Sequence, residues 1–143
     1  MKRHHQQARR RSGFTLLEIL IVLGIIGVIA AMAVPNLLGQ QKAALIKQTK
    51  VAIADLEKNT ELWAVGNQGT YPESVQALLN KGADGTDALL DKMPTDAWNS
   101  PLNYEYPNTK AMTSRPAVWS NGPNRQNENG SGDDINNWSD LAK

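Results

Sequence analysis

The sequence predicts an α+β fold, with one long N-terminal helix, transmembrane in its first half, packed in its second half on a small antiparallel β-sheet domain. Three observations carry that prediction. A nearly unbroken apolar run covers residues 14–34, and only Thr15 and Glu18 in it are clearly polar. An amphipathic pattern at helical spacing follows it to about Val65. Beyond that, short apolar stretches alternate with turn-forming segments rich in Gly, Pro, Asn and Asp.

The apolar run comes first. Its 21 residues, as a helix, would be about 32 Å long, enough to cross a hydrocarbon core of about 30 Å. Gly24 and Gly27 interrupt it, which membrane helices tolerate better than soluble ones. Before it stand Lys2, Arg3, Arg9, Arg10 and Arg11 with no acid, so the positive-inside rule keeps that end cytoplasmic and sends the remainder outward. Glu18 is out of place in this setting. A carboxylate at that depth costs a few kcal/mol on insertion scales and is usually paired or functional. On the membrane argument alone, a plain uncleaved anchor stays open. A cleaved secretory signal, with Ala30, Ala31 and Ala33 as its small-residue site, fits less well because the run is too long and holds an acid.

After Pro35, Leu38, Leu45, Ala52, Leu56 and Trp63 fall on one face, so the helix is expected to run from about Phe14 to about Val65, bent or loosened near Pro35. Gly66 to Gly69 end it. Tyr71-Pro72-Glu73 is expected to open a short helix, with Pro72 in its first turn and Gly82 after its end. A second short helix is expected over 86–92, then a structured loop over 94–101 and strands over 102–106 and 117–120. The polar loop 121–134 reads either as flexible or as a cation site. Asp133 and Asp134 are adjacent, and Asn124, Asn127, Glu128 and Asn129 add oxygen donors of the kind that calcium takes in sets of six to eight. Ile135 and Trp138 re-anchor the chain.

Composition narrows the function. The chain carries 15 Lys and Arg against 14 Asp and Glu, a net charge of +1. The five basic residues before Phe14 are confined to the flank of the apolar run, so nothing resembles the basic patch that nucleic-acid binding needs. There is no cysteine, and both histidines, His4 and His5, precede the apolar run, which removes thiol or histidine nucleophiles and zinc sites from the rest of the chain. With no Gly-rich phosphate loop either, an enzyme is not expected. Trp98, Trp119, Trp138 and Tyr104 could line a sugar site on a membrane-anchored binding module, though core packing suits them better.

The junction Gly13-Phe14-Thr15-Leu16-Leu17-Glu18 resembles the class III signal of the type IV pilin and pseudopilin superfamily. Further along, Tyr71-Pro72, residues 94–101, the run Trp119-Ser120-Asn121-Gly122-Pro123-Asn124 and the closing Asp133-Asp134-Ile135-Asn136-Asn137-Trp138 resemble the major pseudopilins of type II secretion systems. That resemblance implies a pilin-like fold. It implies a cleaved leader at 1–13, a transmembrane and polymerisation helix at 14–35, and a periplasmic domain at 36–143 that includes the second half of the long helix. A prepilin peptidase would cut between Gly13 and Phe14, and the new Phe14 amine would be N-methylated. Glu18 would pair with the Phe14 amine of a neighbouring subunit during assembly. One calcium ion would be held by side chains of Asn124, Asp133 and Asp134 and by carbonyls of Asn121, Gln126 and Ser131. The family usually has an aspartate where Asn124 stands, which implies weaker affinity here, and the loop is about two residues longer than usual.

The implied setting is the bacterial inner membrane, crossed once. The implied partners are further copies of the chain, minor pseudopilins, the peptidase, a cytoplasmic ATPase with its inner-membrane assembly platform, and an outer-membrane secretin. A type IV pilin of an external fibre, for adhesion, motility or DNA uptake, is the alternative. The absence of cysteine argues against it, because many such pilins close their C-terminal region with a disulfide.

Overall fold

A computed structural model describes residues 13–82 and 85–139, with Pro35 and Asn36 described by backbone alone. Lys2, Arg3, Arg9, Arg10, Arg11 and both histidines lie outside the described residues. The chain divides into two compact units, Met1–Gln40 and Gln41–Lys143. The elements in order are α1 (Leu16–Gly66), α2 (Val75–Leu79), β1 (Asn103–Glu105), β2 (Ala117–Ser120) and β3 (Ile135–Asn136).

Helix α1 takes in the apolar run and the amphipathic stretch as one element of 51 residues, and its backbone stays helical through Pro35. Within the first unit none of the described side chains up to Val34 is buried; Phe14 is 87% exposed and Met32 77%. This is the one helix long and apolar enough to cross a membrane among the described residues. So much unpartnered apolar surface is stable only against lipid or other chains.

In the second unit α1 buries Thr49, Ile53, Leu56, Thr60 and Ala64, spaced by three and four residues. Of the expected stripe, Leu56 is in the core, Ala52 and Trp63 are half-buried beside it, Leu45 is half-buried, and Leu38 is 60% exposed. The face is rotated because a strict seven-residue spacing drifts against 3.6 residues per turn. The two threonines were also invisible to a hydropathy pattern. They can be buried because their hydroxyls are satisfied: Thr60 Oγ1 donates to the Glu57 carbonyl at 2.7 Å, and Thr49 Oγ1 accepts from the Ala97 N–H at 3.2 Å. The helix closes at Gly66 with the Gly69 N–H donating to the Ala64 carbonyl at 2.8 Å and Asn67 Nδ2 to the Trp63 carbonyl at 2.8 Å.

Two expectations about the connection are corrected. Pro72 does not open α2, which begins at Val75 with Ser74 at its N-cap, and the helix ends at Leu79, short of Gly82. The Pro72 carbonyl instead accepts from the Tyr104 hydroxyl at 2.6 Å. Burial pushes that phenol's pKa well above its usual range, with Tyr106 and Tyr71 adding to the effect. Residues 86–92 form no helix: Gly82 donates to the Thr86 carbonyl and Leu90 to the Leu78 carbonyl, both at 3.0 Å. The backbone bonds of this segment go to α2 and its flank instead of along its own axis, and it places Leu90 against the core as an irregular strap.

The sheet is antiparallel in the order β1-β2-β3, with Tyr104 opposite Val118 and Ser120 opposite Ile135. The expected strands at 102–106 and 117–120 are present, and a third at Ile135–Asn136 joins them. Ile53, Leu56, Val75, Leu78, Leu102, Val118 and Ile135 form the core. All four residues of β2 are buried, because both faces of the central strand are covered. Val118 joins that core, whereas Trp119, pointing the opposite way by the two-residue period, packs edge-on to Trp138 with ring centroids 6.1 Å apart. The outer layer over Trp119 is the loop that holds the acidic pair.

Candidate functional site

Two places carry the sequence-predicted site residues. At the N-terminal junction, Glu18 is engaged with Thr15. Its Oε2 accepts from the Thr15 N–H at 2.8 Å and from Thr15 Oγ1 at 3.0 Å, while the Glu18 N–H donates back to Thr15 Oγ1 at 3.2 Å. This reciprocal pair is a capping box at the start of α1, and it satisfies donors that no earlier turn can reach. Phe14 projects freely, and a Cβ added at Gly13 would meet nothing within 4 Å, so the fold itself makes no demand for glycine there.

The second place is the loop 121–138, tied down at both ends. At its start Ser120 Oγ donates to Asp96 Oδ2 at 2.6 Å and accepts from the Gly122 N–H at 3.0 Å. Asp96, 4% exposed, also accepts on Oδ1 from the N–H groups of Trp98 at 2.9 Å and Ser100 at 2.8 Å. At the loop's end the Asn137 amide works as an extra rung of the sheet: Oδ1 accepts from the Val118 N–H at 3.0 Å, and Nδ2 donates to the Pro116 carbonyl at 3.1 Å and to Glu57 Oε1 on α1 at 3.2 Å. Arg115 reaches Glu57 and Glu61 at 3.8 and 3.5 Å. Asp96 lay inside a motif noticed in the sequence without a role. Two of its partners, Trp98 and Ser100, are local and mark an Asx turn, whereas Ser120 and all the partners of the Asn137 side chain are remote in sequence.

Between these anchors the backbone takes left-handed φ at Gly122, Arg125, Asn129, Gly130 and Gly132. That curls the chain around Asp133 and Asp134. Asp134 Oδ2 accepts from the N–H groups of Glu128 at 3.0 Å and Gly130 at 2.8 Å; Asp133 Oδ2 accepts from the Asn124 N–H at 3.1 Å. The other oxygen of each, Oδ1, is buried with no hydrogen-bond partner. A buried carboxylate oxygen without a donor is costly, and a cation is one group that would satisfy both. The carboxylates of Glu128, Asp133 and Asp134 each offer an oxygen within 4.8 Å of the others, so the group could hold a metal ion. With oxygen donors and no sulfur or imidazole, the set suits a hard cation.

The remaining expected ligands lie in the same loop. Asn124 Oδ1 accepts from the Gln126 N–H at 2.6 Å. The Asn121 side chain is taken by Asn103 Nδ2 at 2.6 Å, and the Ser131 carbonyl accepts from the Asp134 N–H at 3.0 Å. The aromatic residues considered for a sugar site are packing groups: Trp98 and Tyr104 pack on the core and Trp119 on Trp138.

Comparison with known proteins covers both regions of the chain. The profile of the family described as "Type II secretion system (T2SS), protein G" matches residues 36–138, and that of the prokaryotic N-terminal methylation motif matches residues 8–34. The chain is 32% identical to the type II secretion system core protein G of Aeromonas hydrophila, over 92% of this chain and 95% of that one. It is 31% identical to that of Pseudomonas aeruginosa, over 92% and 98%, and 30% identical to that of Escherichia coli, over 90% and 92%. These relatives favour a major pseudopilin over a type IV pilin of an external fibre, and theirs is a structural family rather than an enzyme family. The chain belongs to the type II secretion system protein G family, the major pseudopilins.

Proposed function

We propose that this chain is cut between Gly13 and Phe14 by a prepilin peptidase, N-methylated on Phe14, and polymerised through residues 14–35 into a periplasmic pseudopilus that drives protein export. The observation that carries the reading is an apolar segment whose described side chains are all exposed and which holds a single carboxylate. Such a surface is at home in the inner membrane before assembly and against neighbouring helices afterwards. Cleavage would leave a cationic amine on Phe14 at the edge of the run. Glu18 of an incoming subunit can pair with that amine, and the pair sets the register, because breaking it leaves an unpaired charge in low dielectric. A glycine at 13 that the fold does not require is consistent with recognition by a processing enzyme. Contacts that repeat head to tail without closing give a filament. The minor pseudopilins, the ATPase with its assembly platform and the secretin are the partners such a filament needs.

The second part of the reading is calcium. Asp133 and Asp134 would hold it with Asn124 and the carbonyls of Asn121, Gln126 and Ser131. The ion supplies positive charge to the buried Oδ1 atoms and ties the two arms of the loop together. Mass spectrometry of the assembled protein tests the first part, with an N-methylated Phe14 as the expected first residue; a retained leader would sink it. A Glu18→Ala variant is expected to insert in the membrane but not to polymerise, and normal polymers from it would refute the register role. For the second part, a chelator is expected to lower the melting temperature of the full chain, and an unchanged melting temperature would refute it.

A further inference from the structure

We infer that Glu128 is a third acidic ligand of the cation site, placed there by a clamp on the residues either side of it and by a glycine opposite. The inference rests on the metal-binding reading of Asp133 and Asp134 and adds to it a residue that the family resemblance does not supply.

By composition, Asn127, Glu128 and Asn129 are three equivalent oxygen donors. The structure separates them. Asn127 Oδ1 accepts from Trp119 Nε1 at 2.9 Å and from the Asn129 N–H at 3.0 Å. Asn129 Oδ1 accepts from Lys110 Nζ at 3.1 Å. Lys110 is itself fixed, 3.6 Å from Glu105 Oε2 and 5.6 Å from the centroid of the Trp119 ring. Both asparagine side chains are therefore committed outward, to the outer face of β2 and to the segment beside it. The residue between them carries its carboxylate to the aspartates, with an oxygen within 4.8 Å of theirs.

Glu128 is joined to both aspartates. Its N–H donates to Asp134 Oδ2 at 3.0 Å, its Oε2 accepts from the Asp133 N–H at 3.1 Å, and its carbonyl accepts from Ser131 Oγ at 2.5 Å. Those bonds leave the buried Oδ1 atoms of Asp133 and Asp134 without a partner beside a third carboxylate. Gly132 makes the room. A Cβ there would lie 1.9 Å from Glu128 Oε2 and 2.5 Å from its Cδ, and the backbone at Gly132 has φ +60°. A glutamate that merely faced solvent would need no such notch. Lys110, the basic group of the clamp, is engaged by Glu105 and Asn129 and is not paired with the three carboxylates. Three carboxylates of flexible reach match a divalent cation of the calcium type, whose affinity rises with ligand charge.

The test titrates calcium chloride into the full-length chain in detergent, followed by calorimetry, with thermal melts in calcium and in chelator. Glu128→Gln keeps the length and the acceptor for the Asp133 N–H and removes only the charge. It is expected to weaken calcium binding on the order of tenfold or more. In chelator it is expected to melt at or above the wild-type temperature, since like-charge repulsion is relieved. Glu128→Asp, which keeps the charge with a shorter reach, is expected to fall between the two. An unchanged calcium affinity in Glu128→Gln overturns the inference. So does an equal loss of melting temperature with and without calcium, which would mark a purely structural glutamate. If the wild type binds no calcium, the underlying metal reading fails instead.

Discussion

Asp96 offers the sharpest test of how the cation loop is held. Its carboxylate is 4% exposed and accepts three hydrogen bonds, from the Trp98 and Ser100 N–H groups and from Ser120 Oγ. Asp96→Ala leaves two backbone donors and one hydroxyl without acceptors. At about 1 kcal/mol or more for each group stranded, the loss is about 3 kcal/mol. For a domain of this size that lowers the melting temperature by about 10–20 °C. Asp96→Asn should cost far less, about 1 kcal/mol, because its amide oxygen still serves the two N–H groups and only the Ser120 hydroxyl loses its acceptor. Ser120 Oγ in turn holds the Gly122 N–H, where the loop begins, so the alanine variant should also weaken cation binding. Urea denaturation and thermal melts of the full chain, with and without calcium, measure both effects. If the alanine variant is as stable as wild type, or if the asparagine variant is the worse of the two, the account of Asp96 as a buried acceptor hub is wrong.

Three other outcomes are expected. Leu56→Ala removes a core side chain that is 1% exposed and should destabilise the second unit by about 2–5 kcal/mol in denaturant titration, with insertion of the apolar helix unaffected. Thr15→Val removes the hydroxyl that both accepts from the Glu18 N–H and donates to its carboxylate; about 1 kcal/mol of helix-start stability should go, seen as faster amide exchange over the first turn, while normal exchange there would count against the capping box. At Glu105, hydrogen bonds from the Thr109 side chain and backbone, and the nearby Lys110, hold the carboxyl below its ordinary 4.5. A depressed carboxyl stabilises the fold above its unfolded value and loses that contribution as the pH falls through its folded value. Thr109→Val should therefore be slightly less stable than wild type at neutral pH, with the gap narrowing in acid as the pH falls below the ordinary carboxyl value; a gap that is constant with pH would refute the assignment.

The N-terminal half of the protein was legible because its signal is local and one-dimensional. A membrane-length run, a basic flank and a lone acid need no knowledge of what folds against what. The long helix and two strands followed from periodicity. The errors fell where neighbours in space decide. Thr49 and Thr60 read as polar until their hydroxyls found partners. Residues 86–92 offered turn-length helical composition but were pulled out as a strap onto Leu78. The pair Ile135–Asn136 is too short to announce itself as a strand without β2 beside it. In the loop, sequence could nominate oxygen donors but could not sort them. Asn127 and Asn129 point away and Glu128 points in only because Trp119, Lys110 and Gly132 stand where the fold puts them. Sequence alone determined that this chain has an apolar helix with one acid in it and an oxygen-rich closing loop. Tertiary structure alone decided which of those oxygens are left without a donor, because hydrogen-bond satisfaction is a property of partners brought together across the chain.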